Sequence, residues 1–219
     1  MLSVRDLNAL PASMASYLRF PHSEPGQRIG LFGGSFNPPH EGHLLVAELG
    51  LRRLELDQIW WMVTPGNPLK DLSNLRPLEE RIKACEALAI DPAMKVTACE
   101  ASLNTRFTAD TLVHIKQRHR ANRFVWLMGA DNLGQFHRWQ RWRDIASTYP
   151  IAIVDRPGST LSLHSAQAAI ALSRFRLDES DAPVLADLKP PAWTFLHGQR
   201  NALSSTLLRR RSAKTVNAV

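Results

Sequence analysis

Cysteine is nearly absent from this chain of 219 residues: Cys85 and Cys99 are the only two. They are too few and too widely spaced for a disulfide framework or a Cys-x-x-Cys metal or redox site, so they read as two small buried thiols. Long apolar runs are missing as well. Uninterrupted runs reach only five residues, as in Ile59 to Val63, whereas a bilayer-spanning helix needs roughly 20. Behind Arg5 and Asp6 no apolar stretch of signal-peptide length follows, so nothing marks the chain for export and a cytoplasmic location with no membrane partner is expected. Acidic residues are absent from positions 197–219, which hold Arg200, Arg209, Arg210, Arg211 and Lys214. The whole chain has 27 Lys and Arg against 20 Asp and Glu, a net charge of +7, and without that stretch 22 basic residues stand against 20 acidic ones. The excess is therefore local. A compact cluster suits a polyphosphate better than a duplex, which requires a basic stripe across the fold, so nucleic acid is not the expected partner. With 44% hydrophobic and 21% charged residues, wholesale disorder is excluded and one globular domain is expected.

Residues 1–27 mix Pro11, Pro21, Pro25 and Gly26 with a short apolar pattern at Leu7, Leu10, Met14 and Leu18, and read as an N-terminal extension of one weak helix and a loop. From Arg28 to the end, residues 28–219, the pattern is that of a single domain. Ile29–Phe32, Ile59–Val63, Val96–Ala98, Phe124–Met128, Ile151–Val154 and Trp193–Leu196 read as strands. Helical periodicity falls between them, over His40–Leu54, Pro77–Ile90, Ala109–Arg120, part of Asp131–Thr148, and Leu163–Phe175. This alternation predicts a doubly wound α/β domain with a mostly parallel sheet and helices on both faces. Ligands in such sheets bind beyond the carboxyl ends of the strands, so the residues after Phe32, Val63, Met128 and Leu196 are the expected functional ones. Residues 155–192 read as a loop-rich excursion around one helix.

Directly after the first strand comes Gly33-Gly34-Ser35-Phe36-Asn37-Pro38-Pro39-His40-Glu41-Gly42-His43. The adjacent glycines predict a sharp turn and close backbone approach, and Pro39 suits the first position of a helix. His40 and His43 are three apart, so both imidazoles project from one side of the opening turn, where free N–H groups and the helix dipole favour an anion. Rival motifs fail on spacing: neither G-x-G-x-x-G nor G-K-[ST] is present, and a zinc-protease motif needs its histidines four apart. The remaining alternative is a tight turn carrying two surface histidines. Further on, Ser204-Ser205-Thr206-Leu207-Leu208-Arg209 follows the last strand. Ser204 or Ser205 suits an N-cap with Arg209 a turn beyond, so hydroxyls, N–H groups and a guanidinium can converge on one anion.

Gly33 to His43 resembles the H-x-G-H signature of the nucleotidyltransferase superfamily, and Ser204 to Arg209 is similar to its second signature, S-S-T-x-x-R. The resemblance implies a Rossmann-like nucleotidyltransferase domain. Between the signatures, from about Arg28 to Arg211, several segments resemble the nicotinate-nucleotide adenylyltransferases. Thr64 to Lys70 is a loop after a strand whose Lys70 reaches a phosphate, or is simply a solvated loop lysine. Thr105 to Leu112 looks like the segment that opens a helix and meets the nicotinate carboxylate through backbone N–H at Thr108, which is also a plausible cap. Gly129-Ala130-Asp131-Asn132 resembles the family's nucleotide-contacting turn, and Trp139 matches the aromatic that stacks on the pyridine ring, while Trp142 is assigned to the core. Arg156 faces the site or the surface. Trp60 and Trp61 read as packing residues.

The resemblance implies transfer of AMP from ATP to nicotinate mononucleotide, in NAD biosynthesis. His40, His43 and Arg209 take the catalytic roles. Gly33, Gly34, Ser35, Phe36, Gly129, Asp131, Ser204, Ser205 and Thr206 join them on ATP, and Asn37, Lys70, Thr108, Trp139 and Arg156 hold the acceptor. Mg²⁺ is expected to arrive with ATP through phosphate oxygens and water, since no carboxylate cage is apparent, and no protein-held metal is expected. Three alternatives remain: transfer to another phosphate acceptor such as phosphopantetheine, a non-catalytic nucleotide sensor, and a nucleic-acid binder driven by the basic tail. The roughly 27 residues ahead of the first strand and the end soon after Arg211 depart from the family, which leaves open whether copies of the chain associate.

Overall fold

The computed structural model describes residues 14–66, 73–103, 105, 107–155 and 166–198. Six strands form one sheet: β1 (Arg28–Gly34), β2 (Gln58–Val63), β3 (Met94–Thr97), β4 (Arg123–Gly129), β5 (Ile151–Val154) and β6 (Trp193–Leu196). Their order is β3-β2-β1-β4-β5-β6, and every pair is parallel. This is the doubly wound arrangement that the alternating pattern predicts, with its switch point between β1 and β4. All six predicted strands are present. The largest shifts are two residues: β3 begins at Met94, ahead of its apolar pattern, and β1 runs on past Phe32 to Gly34.

Side-chain alternation divides the core between the two faces of the sheet. In β2, Ile59, Trp61 and Val63 join one cluster while Trp60 and Met62 join the other. In β4, Val125 and Leu127 point to the first cluster, and Phe124, Trp126 and Met128 to the second. The first face is covered by α1 (Glu41–Arg53), α2 (Leu78–Leu88) and a 3₁₀ helix at Glu179–Asp187. Helix α3 (Cys99–Leu103) divides between the faces, with Ala101 in the first cluster and Cys99 in the second, and the second face carries α4 (Thr108–Arg118), α5 (Ala130–Phe136), α6 (Trp142–Thr148) and α7 (Gln167–Ala171). The loop-rich excursion after β5 thus contains, among its described residues, α7 and two 3₁₀ helices, Ser173–Phe175 and Glu179–Asp187. Trp60 and Trp61 are fully buried, one on each face, as packing residues. Cys85 and Cys99 are buried and free, and burial pushes both thiols up to about 12, far from the range of a reactive thiolate.

The described part of the N-terminal extension lies along the outer side of β3. Met14 makes a turn with Tyr17, and Tyr17 O accepts from Ala98 N at 2.7 Å. Thr97 Oγ1 donates to Tyr17 O and Arg19 O at 3.1 and 2.8 Å, and Ser102 Oγ donates to Leu18 O at 2.6 Å. Met14, Tyr17 and Leu18 join the core of the first face, while Phe20 packs on the second and stacks near Trp60. The segment straddles the sheet edge, with its carbonyls serving as acceptors there. The helix expected over Leu7–Leu18 is a turn from Met14 on, and its earlier part lies outside the described residues.

Candidate active site

The crevice at the switch point is built where β1 and β4 end side by side. Phe32 pairs with Leu127, and carrying that register forward sets Gly34 level with Gly129. Contrary to the expectation of a glycine turn, Gly33 and Gly34 are the last two residues of β1. Gly33 is required for close packing: a Cβ there would lie 2.6 Å from the Trp126 indole. The turn falls instead at Phe36, whose φ of 44° lies in the left-handed region at a cost of about 1–2 kcal/mol for a side chain with Cβ. Packing holds it there. The buried Phe36 ring stacks on Trp61 at 5.2 Å and stands edge-on to Phe32 at 5.4 Å and His43 at 5.0 Å.

Helix α1 begins two residues later than a first position at Pro39 would have it. His40 is its N-cap, with extended backbone, so Pro39 precedes the cap instead of opening the helix. His40 Nδ1 accepts from Gly42 N at 3.0 Å, and His43 Nδ1 accepts from His40 N at 3.2 Å. The two imidazoles thus form a reciprocal capping box, a task more often carried by Ser or Thr with Glu. Their ring centroids are 3.9 Å apart, and His40 is only 5% exposed. This geometry has a chemical consequence. With both Nδ1 atoms used as acceptors, a neutral ring carries its proton on Nε2, so each imidazole is oriented as an Nε2–H donor at a positive helix end.

Asn37, expected on the acceptor, is buried. Its Nδ2 donates to Asn74 O at 2.8 Å and its Oδ1 accepts from Arg76 N at 3.2 Å. These bonds tie the loop after β1 to the segment leading into α2. Ser35 belongs to the same brace, because its carbonyl accepts from Arg81 Nη1 at 2.8 Å. Arg81 also donates to Thr64 O (2.7 Å), Pro65 O (3.3 Å) and Arg76 O (2.9 Å). It is 2% exposed, and burial pushes its guanidinium down to about 10, so it remains charged at neutral pH. One buried cation therefore fixes the carboxyl ends of both β1 and β2. The sequence reading missed it. The available signal was an arginine in register with Leu78, Ile82 and Cys85 on the core face of α2. Lys70, in the loop that this brace launches, lies outside the described residues.

On the opposite face, Thr108 is the first residue of α4 and not its cap. Phe107 occupies the cap position, and no side chain closes the helix start. A small hydroxyl network lies beneath: Thr105 Oγ1 and Thr111 Oγ1 are 2.7 Å apart. The Glu100 carboxyl is bonded by the Thr64 and Thr111 side chains, and its burial raises it above the usual carboxylate range. This joins the end of β2 to α4. Gly129 is the N-cap of α5 and the exposed Asp131 lies in its first turn. Trp139, half-buried in the turn after α5, meets Phe136 at 5.5 Å and Trp126 at 6.3 Å, both edge-on. The indole nitrogens of Trp126 and Trp139 are buried with no hydrogen-bond partner among the described residues. Trp142 is buried in the core as expected.

The chain leaves β6 across α1. A Cβ at Gly198 would lie 2.3 Å from Leu49 Cδ1, so glycine lets the backbone pass close to the helix that carries the two histidines without displacing the Leu49 side chain. Ser204, Ser205, Thr206, Arg209 and Arg156 lie outside the described residues. Among the described residues no group of three or more His, Cys, Asp or Glu could hold a metal ion, and no helix is long and apolar enough to cross a membrane.

The cytidylyltransferase-like family matches residues 31–211. A protein of Brucella abortus named "Probable nicotinate-nucleotide adenylyltransferase" is 63% identical over 182 residues, covering 83% of this chain and 94% of that protein. One of the same name from Mesorhizobium japonicum is 58% identical, covering 87% and 97%. Among solved structures, the nicotinic acid mononucleotide adenylyltransferase of Plasmodium falciparum complexed with NaAD superposes with a TM-score of 0.63, covering 84% of this chain and 83% of that one at 17% identity. That last likeness establishes the shared fold.

Proposed function

Because the chain belongs to the nicotinate-nucleotide adenylyltransferases within the cytidylyltransferase-like family, we propose that it transfers AMP from ATP to nicotinate mononucleotide in the cytoplasm, giving nicotinate adenine dinucleotide and pyrophosphate. The observation that carries this reading is the reciprocal imidazole cap at the start of α1, beside the switch point. It sets two Nε2–H groups and a helix dipole on the side where a triphosphate would lie.

A 5′-phosphate oxygen of nicotinate mononucleotide attacks the α-phosphorus of ATP in line; that P–O bond forms as the bond to the bridging oxygen breaks and pyrophosphate leaves with its electrons. The attacking phosphate is already anionic, so no side chain needs to act as base. Catalysis consists of positioning and charge stabilisation. His40 and His43 donate to the triphosphate as charge shifts to the leaving group. Gly33, Gly34, Ser35 and Phe36 shape the nucleotide's seat on one side, and Gly129 and Asp131 on the other. Ser204, Ser205, Thr206 and Arg209 hold the far phosphates, a role compatible with the close passage of Gly198 over α1. Lys70 and Arg156 serve as further cations, and Asn37 holds the loop at the acceptor side. The acceptor's carboxylate meets the uncapped start of α4 at Thr108, and its pyridine ring rests on Trp139. Mg²⁺ enters with ATP as part of the substrate.

The test is a pyrophosphate-release assay with ATP and a panel of phosphate acceptors. Turnover with nicotinate mononucleotide is expected, with little or none from phosphopantetheine. The reverse pattern, or ATP binding without turnover on any acceptor, overturns the assignment.

A further inference from the structure

We infer that Arg141, which lies in neither signature, is a positioning residue that sets the preference for an acidic over an amide pyridine nucleotide. The inference rests on the reading above, in which the acceptor's carboxylate sits at the start of α4 and its ring on Trp139. Asp110 lies in the first turn of α4. Its carboxylate suits the helix dipole, yet it stands two residues from the N–H groups that a second carboxylate must share, and two like charges there oppose each other. Something has to offset Asp110 before an acidic ligand binds well.

Arg141 does so from the other half of the acceptor site. Its Nη1 is 2.8 Å from Asp110 Oδ1, and its Nε is 2.7 Å from Asp144 Oδ2. The guanidinium is thereby held at both ends, by the helix that would receive the carboxylate and by α6. Its backbone has φ 56° and ψ 36°, left-handed at the N-cap of α6. This is an unfavourable conformation for arginine, at the turn that begins with Trp139. Trp142 N donates to Trp139 O and Asp144 N to Arg141 O, so the indole and the guanidinium belong to one short hydrogen-bonded turn. One residue therefore links the ring platform to the carboxylate's helix and, although shared with Asp144, offsets part of the charge that would repel it. A carboxamide carries no charge and gains nothing from that offset. Arg141 and Asp110 are 49% and 41% exposed, so solvent screens the effect, and the expected change is on the order of five- to tenfold.

The experiment measures kcat and KM for nicotinate and nicotinamide mononucleotides with the wild type, Arg141→Gln, Asp110→Asn and the double variant. Arg141→Gln is expected to lower the acid-to-amide ratio of kcat/KM by about five- to tenfold, through the KM of the acidic acceptor, with the KM for ATP unchanged. Asp110→Asn alone should raise the ratio, and in the double variant it should restore it, because the repelling charge is gone along with its partner. A purely structural bridge would be broken in the double variant as well, and would show no such rescue. An unchanged ratio in Arg141→Gln, or a double variant no better than Arg141→Gln, overturns the inference while leaving the assigned reaction standing. A wild type that does not use nicotinate mononucleotide overturns both. Should Arg141→Gln fold poorly, Asp110→Asn decides alone: a ratio that falls or stays level refutes the charge argument.

Discussion

His43→Ala should lower kcat by about 10²- to 10³-fold, the usual effect of removing one donor aimed at developing negative charge, while the KM for nicotinate mononucleotide stays within about twofold. The geometry separates this loss from a folding defect. His43 Nδ1 accepts from the backbone N–H of His40 at 3.2 Å, so alanine also removes a cap worth roughly 1 kcal/mol. His43→Asn distinguishes the two contributions. Its Oδ1 falls near the position of Nδ1 and can keep the cap, but it places no donor where Nε2 was. The asparagine variant is expected to match the alanine variant in rate and the wild type in melting temperature. Steady-state kinetics with thermal melts on all three proteins check this, and an asparagine variant with near-normal kcat would remove His43 from the chemistry.

Arg81→Met should be the most damaging single change to stability, costing about 3–5 kcal/mol out of a total of roughly 5–15 and lowering the melting temperature by roughly 10 °C. Methionine fills a similar volume but donates nothing, so the carbonyls of Ser35, Thr64, Pro65 and Arg76 lose their shared donor inside the protein. Because Ser35 and Thr64 sit at the ends of β1 and β2, the loss should reach the site as well, with higher KM for both substrates. Arg81→Lys retains a cation but not the planar fork and should fall between the two. Thermal denaturation followed by kinetics at a temperature where all variants are folded separates the two effects, and a melting temperature within a degree or two of the wild type for Arg81→Met would contradict the account.

The sheet was legible because its strands are buried on both faces and read as continuous apolar runs, bounded by turn residues and separated by amphipathic helices. The motif from Gly33 to His43 was legible as a unit, but the work inside it is distributed differently from what spacing suggests. Backbone freedom was read into two glycines, of which Gly33 instead admits the Trp126 ring and Gly34 the Phe36 ring, and the left-handed turn passed to Phe36, where stacking on Trp61 overrides local preference. A cap was assigned to Thr108 on propensity, whereas Phe107 takes that position with extended backbone and Thr108 is the first helical residue. Arg81 and Arg141 escaped because the partners that give them their roles are far away in the chain: backbone carbonyls 16 to 46 residues off for Arg81, besides Arg76 nearby, and a carboxylate 31 residues away for Arg141, besides Asp144 nearby. Pairings of that kind leave no periodicity to read.

The strip formed by Tyr17 to Phe20 has a bearing on solubility. A parallel sheet ending in a bare strand offers its unused backbone groups to any similar strand in solution, and here the carbonyls of Tyr17, Leu18 and Arg19 cross the end of that edge, accepting from the Thr97 hydroxyl, from Ala98 N just past β3 and from the Ser102 hydroxyl. A chain trimmed to start at Arg28 would keep every residue of both signatures and still bare that margin, along with the apolar surface now under Met14 and Phe20. Its first failure would be self-association into aggregates, with the chemistry of individual molecules intact.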